Sequence, residues 1–135
     1  MSYPIEEIEG IGAAFGDKFE AAGVKTTDDL LAKAAGPGDR KALAEATGLS
    51  DGQILKFANR ADLMRVNGVG KQFAELMECA GVDTVPELAQ RNSANLAKTM
   101  GELNDEKKLC KTNPTADQVA KWVEQAKGMD RALSY

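Results

Sequence analysis

Histidine is absent from all 135 residues. That removes the commonest general base and the commonest metal ligand at once. Only two cysteines are present, Cys79 and Cys110, and they do not cluster, so a zinc site would have to be assembled from scattered thiolates and carboxylates. Two unclustered thiols suit a reducing compartment, and with no histidine to activate either, a reactive thiol is disfavoured. No apolar run approaches the roughly 18 residues that a membrane span requires. The opening Met1-Ser-Tyr-Pro-Ile-Glu-Glu lacks the basic-then-apolar order of a signal peptide, so the cytoplasm is the expected compartment. Basic residues are outnumbered, 17 against 21 acidic, for a net charge of −4 and a pI of about 4.9. That balance argues against broad, charge-driven binding to nucleic acid and leaves room for a local grip on its backbone. Stretches of alternating β-branched residues are also missing, so no sheet is expected.

What the chain does contain is a repeated register. Ile8-Glu-Gly10-Ile11-Gly12 leads into Ala13–Ala22 and stops at Gly23; Val66-Asn-Gly68-Val69-Gly70 leads into Lys71–Ala80 and stops at Gly81. Gly10 and Gly68, Phe15 and Phe73, Gly23 and Gly81, and Leu30 and Leu88 are each 58 positions apart. A register held that long reads as internal duplication. Apolar residues at 43% and charged residues at 28% give the chain an ordinary globular composition, so a folded core is expected. The division follows the register, with a first module over 1–61 and a second over 62–135. Cys79 falls on the position of Ala21, which predicts a small core site for it.

The elements predicted are helices joined by short turns. Pro4 suits the first turn of a short helix ending near Ile8. Phe15, Phe19 and Ala22 share one face of the next helix. Thr26 with Asp29 reads as a capping box, as do Ser50 with Gln53 and, in the second copy, Thr84 with Glu87. Gly36-Pro37-Gly38 breaks the chain, and Asp39 is placed to cap a helix that Gly48 ends. Phe57 and Trp122 occupy matching apolar faces and are read as core. Thr115 with Gln118 matches Ser50 with Gln53 only after a slip of about seven residues, which places an insertion within 90–113 and predicts a longer helix there. That stretch carries Lys98, Lys107, Lys108 and Lys111. A solvated helix face is the plain reading of such a run, and a second phosphate contact is the sharper one.

The glycine pairs have a mechanical purpose. Glycine permits a tight turn and the close approach of another backbone. The apolar residue between each pair, Ile11 or Val69, is expected to anchor the turn in the core. The helix that follows then offers free N–H groups and a positive dipole end, a natural partner for a phosphate oxygen. Contacts of that kind read backbone and not base sequence.

On these residues the chain resembles a known motif. Ile8–Val24 and Val66–Val82 both look like the helix-hairpin-helix motif. The wider module is similar to the small helical domains at the C-terminus of the RNA polymerase alpha subunit and at the N-terminus of recombinases. The run Asn59-Arg60-Ala61-Asp62-Leu63-Met64-Arg65, with Gly68-Val69-Gly70 and Val82-Asp83-Thr84-Val85, resembles an uncharacterised bacterial and archaeal family of tandem helix-hairpin-helix proteins. The resemblance covers nearly the whole chain. It implies an all-α fold of two SAM-domain-like helical bundles packed together, and DNA binding by analogy.

The two copies differ in charge. Lys71 and Gln72 follow the second hairpin and Arg65 precedes it; Ala13 and Ala14 follow the first, with Glu6, Glu7 and Glu9 before it. Carboxylates beside a phosphate site repel the ligand. The predicted nucleic-acid-binding set is therefore Arg65, Gly68, Val69, Gly70, Lys71 and Gln72. Gly10, Ile11 and Gly12 form a secondary, mainly structural hairpin. Arg60 is read as a surface salt-bridge partner of nearby Asp62. The segment Val82-Asp83-Thr84-Val85 superficially resembles the catalytic-aspartate segment of helix-hairpin-helix DNA glycosylases. The matching Lys25-Thr26-Thr27 of the first copy and the short length of the chain argue against that activity. No enzyme, metal or cofactor is expected. The partner expected is nucleic-acid backbone, DNA or RNA; the alternative is a protein partner met by the acidic helical surfaces.

Overall fold

Side-chain caps at Thr26, Ser50, Asn92 and Thr115 place half of the helix starts. In the computed structural model, which describes residues 2–135, a 3-10 turn over Ile5–Glu7 leads into α1 (Ala13–Ala21), α2 (Thr27–Lys33), α3 (Pro37–Thr47), α4 (Asp51–Leu63), α5 (Lys71–Cys79), α6 (Val85–Ala89), α7 (Ser93–Lys107) and α8 (Ala116–Lys127). The chain is all-α; among the described residues the one strand-like pairing is an isolated bridge between Pro4 and Thr26. No helix is long and apolar enough to cross a membrane.

Two capping boxes form as the sequence predicts. Asp29 N donates to Thr26 Oγ1 at 3.1 Å while Thr26 N donates to Asp29 Oδ2 at 3.3 Å. Ser50 and Gln53 exchange the same pair at 3.1 and 3.0 Å. The third does not form: the Thr84 hydroxyl turns to Glu87 Oε1 at 3.3 Å. The first N–H of α6, from Val85, goes instead to Asp62 Oδ2 of α4 at 2.9 Å. Asp39 also plays another part than the one predicted. α3 starts three residues earlier, with Pro37 at a first-turn position where its missing N–H costs nothing, and Asp39 accepts from Gly36 N at 3.2 Å.

The packing pairs recur along the chain. α1–α3, α2–α4 and α3–α4 in the first half correspond to α5–α7, α6–α8 and α7–α8 in the second. The predicted division at 61/62 falls inside the last turn of α4, which packs on α5. One hydrophobic cluster runs through both halves and includes Phe19, Leu30, Ile54, Leu76, Met77, Leu88, Met100 and Trp122. Phe57 meets Phe19 edge-on with ring centroids 6.2 Å apart, and Trp122 meets Phe73 at 5.0 Å. Both therefore lie in the core as predicted. The insertion appears as the longer α7, 15 residues against the 11 of α3, and as a longer link to α8. Cys79 does not fill a core site: it is exposed, as is Ala21. Alignment of two positions by register carries no information on which way they face.

Polar contacts at the end of α4 tie distant segments together. Asp62 is 1% exposed; its Oδ1 accepts from Arg65 Nε at 2.8 Å and Nη2 at 2.6 Å. Arg65 Nη2 also donates to Asp130 O at 3.1 Å. Arg60 is buried, with Nε on Glu78 Oε2 of α5 at 2.8 Å and Nη1 on the Glu9 carbonyl. The predicted Arg60–Asp62 surface pair is thus replaced by a pair reaching across to α5. Buried Arg40 holds the C-terminal segment: its guanidinium donates to Ala34 O at 2.9 Å and to Ser134 O at 2.7 Å. Replacing Asp62 with alanine removes the acceptor for a half-buried guanidinium and for Val85 N. Asp62→Ala should lose about 3 kcal/mol, the scale of breaking one side of a buried pair. Urea denaturation should show a lowered midpoint at unchanged slope; a loss below about 0.5 kcal/mol, the range of an ordinary surface change, would contradict the role given to it.

Candidate functional site

The two hairpins share one backbone geometry. Gly10 and Gly68 are left-handed at φ 95° and 91°. Ile11 N donates to Ile8 O and Val69 N to Val66 O, both at 3.0 Å. Ile11 and Val69 are buried, as the sequence predicts, and pin each turn to the core. Gly12 and Gly70 serve as N-caps of α1 and α5 at φ −88° and −92°.

Within each pair the glycines stand under different constraints. A Cβ at Gly68 would lie 3.1 Å from Trp122 Nε1, and one at Gly10 would lie 3.2 Å from Phe57 Cε1. Those first glycines are demanded by the fold, by φ and by the aromatic ring beneath them. A Cβ at Gly12 or Gly70 would meet nothing within 4 Å, and their φ is ordinary for any residue. The fold does not need glycine there. What its absence of side chain does provide is a bare helix start. Gly70 cannot cap α5 with a side chain, so the first N–H groups of the helix face outward without an intrahelical partner.

Surroundings separate the two sites. Lys71 and Gln72 are exposed on the first turn of α5, and Gly68 and Asn67 are exposed in the turn itself. Asn67 N is held by Gln125 Oε1 of α8 at 3.2 Å, so α8 braces the hairpin through both Gln125 and Trp122. Arg65 directs its Nε and Nη2 to Asp62 and Asp130, which makes Lys71 the exposed cation at this hairpin. At the first hairpin the Glu6 side chain lies against α1, since a Cβ on Gly16 would approach its Cγ to 2.7 Å. Glu7 and Glu9 are exposed nearby. In the second copy the position of Glu6 is taken by buried Met64 and that of Gly16 by buried Ala74. The carboxylate that lies against the first turn of α1 at Gly16 thus has no counterpart on α5.

Asp83, which lies between α5 and α6, is half-buried, and burial first, then Glu87 and Glu78, raise its carboxyl above the usual range. Among the described residues no group of three or more Cys, Asp or Glu is placed to hold a metal ion. Sequence reasoning overlooked the contact between Trp122 and Gly68. The signal for it was present, since Phe57 and Gly10 are their counterparts in the first copy.

Residues 9–129 match the family described as a domain of unknown function, DUF4332. No curated protein matches the chain, and no solved structure does.

The asymmetry within the second hairpin has a direct test. Gly68→Ala forces a left-handed alanine onto the indole and should lower stability by about 1–2 kcal/mol. Gly70→Ala should stay within about 0.5 kcal/mol of the parent. Thermal unfolding followed by circular dichroism measures both, and equal losses at the two positions would contradict the distinction.

Proposed function

The chain belongs to the DUF4332 family, a domain of unknown function that spans most of its length, and on that premise we propose that it is a non-enzymatic protein binding nucleic-acid backbone through its second hairpin. The match agrees with the sequence resemblance to an uncharacterised family. The helix-hairpin-helix kinship of the two glycine turns is part of the proposal.

The observation that carries the reading is Gly70. Glycine stands at a helix start where neither φ nor packing requires it. Open space above unpaired N–H groups is what the approach of a phosphate oxygen needs. Lys71, exposed on the first turn, adds a full positive charge beside the helix dipole. Val69 anchors the turn, Gly68 permits it, and Gln72 supplies a further polar group at the rim. Arg65 contributes by positioning: its bonds to Asp62 and Asp130 hold the segment that enters the turn. Backbone contacts of this type confer no base preference. With one cation and a net charge of −4, binding should be weak and readily screened.

A protein partner is the second reading, and the first hairpin favours it. Glu6, Glu7 and Glu9 surround a helix start of the same geometry, and that acidic face suits a basic protein surface better than phosphate.

Fluorescence anisotropy of a labelled duplex across a salt series distinguishes the two. The backbone reading predicts a negative log–log slope of about 0.9 per phosphate contacted. Lys71→Glu should weaken binding and flatten the slope, and Gly70→Ala should weaken it while leaving the melt unchanged. Absence of binding at low salt, or affinity indifferent to both substitutions, would remove the proposal and favour the protein partner.

A further inference from the structure

The insertion that lengthens the second half is a braced loop. α7 is closed by its C-cap Lys108, the one non-glycine left-handed residue among those described, at φ 54°. Asn104, 5% exposed, lies one turn earlier. Its Nδ2 donates to Cys110 O at 3.1 Å and to Asn113 Oδ1 at 2.8 Å, and its Oδ1 accepts from Cys110 N at 2.8 Å. Asn113 in turn donates to Asp105 Oδ1 at 3.1 Å. These bonds fix residues 108–113 against α7, so Lys108 and Lys111 project from an ordered support.

Opposite that loop stands Gln72, the second residue of α5 and the neighbour of Lys71. Between them runs an open groove of about 450 Å³, lined by Gln72, Lys108, Lys111 and Asn113 along with Asn104 and Asp105. Two ammonium groups and one carboxylate line it, and that carboxylate already accepts from Asn113. Cys110 lines it too; burial, then Glu75, pushes its thiol up, so it adds no negative charge. Two lysines against one carboxylate in the lining, with Glu75 near Cys110, make this a lysine-bearing groove in a chain of charge −4. Its location is the second observation. The first copy links α3 to α4 with Gly48-Leu49-Ser50 alone and has no such loop, so the groove occurs only in the half whose hairpin carries Lys71.

We infer that this groove is a second phosphate-contact site, taken by the nucleic-acid strand whose neighbouring phosphate sits at Gly70 and Lys71. The inference rests on the hairpin reading and extends it from one backbone contact to a short track: the start of α5, Gln72 at the rim, then Lys108 and Lys111. Each lysine neutralises one phosphate by displacing a condensed counterion, so the contacts are countable in the salt dependence.

The experiment is the salt series on the intact chain with a labelled duplex, comparing Lys108→Gln/Lys111→Gln, Lys111→Gln alone, Lys71→Glu, and Lys98→Gln. Lys98 is exposed on α7 outside the groove and serves as the charge control. The double variant should flatten the slope by about 1.8 and the single one by about 0.9, with Lys98→Gln matching the parent. Lys111 makes none of the bonds that brace the loop, so its single variant keeps the test valid if the double variant melts early. Slopes unchanged in both groove variants while Lys71→Glu still weakens binding would overturn the groove and keep the hairpin. Slopes flattened only in the groove variants would overturn the hairpin and keep the groove.

Discussion

A carboxylate buried in protein must be neutralised where it lies, and Asp62 sets much of the architecture by meeting that requirement in two directions. One oxygen takes the Arg65 guanidinium and the other takes the first N–H of α6. Through Arg65 the same cluster reaches the carbonyl of Asp130. The end of α4, the start of α6 and the segment after α8 are therefore coupled to one ionised group. Left unpaired, such a charge would cost several kcal/mol, so these three segments have a common reason to stay together. Arg60, half a turn away, adds the tie to Glu78 and to the carbonyl of Glu9 in the first hairpin.

That constraint also decides which residues remain for function. Arg65 looked like a phosphate ligand because it is basic and close to Gly68 in sequence. Its Nε and Nη2 are committed to Asp62 and Asp130, so the exposed groups at the second hairpin are the helix start, Lys71 and Gln72. The bareness of the Gly70 helix start matters more for that reason: the weaker the side-chain charge, the larger the share of any phosphate contact that falls to the helix end itself. At the first hairpin the helix start is equally open, but Glu6 lies one turn along, against Gly16 of α1. Two sites of near-identical backbone thus differ by the charge beside them, which makes each a control for the other.

Local information was the readable part of the sequence. The caps at Thr26 and Ser50, the glycine stops, the paired core aromatics Phe57 and Trp122 and the longer seventh helix all follow from periodicity and from residues three or four positions apart. Contacts across the fold were not readable in the same way. Thr84 has the sequence of a cap like Thr26, but Asp62, 22 positions earlier, takes the N–H that opens α6. Arg60 sits two residues from Asp62 and pairs with Glu78 instead, because on a helix residues two apart do not face each other. Cys79 shows the limit of the register, which equates positions and says nothing of their exposure. For the site, the glycines and Lys71 were legible, whereas the groove was not, since it depends on Asn104 bringing residues 108–113 opposite Gln72.

The two hairpins, alike in backbone, are proposed to differ in binding. Titration of the ¹⁵N-labelled chain with a short duplex, followed by backbone amide shifts, tests this in one sample. Shifts should concentrate at Gly70, Lys71 and Gln72, with Gly12, Ala13 and Ala14 unmoved. Movement at residues 12–14 with residues 70–72 still, or no movement at either hairpin, would contradict it.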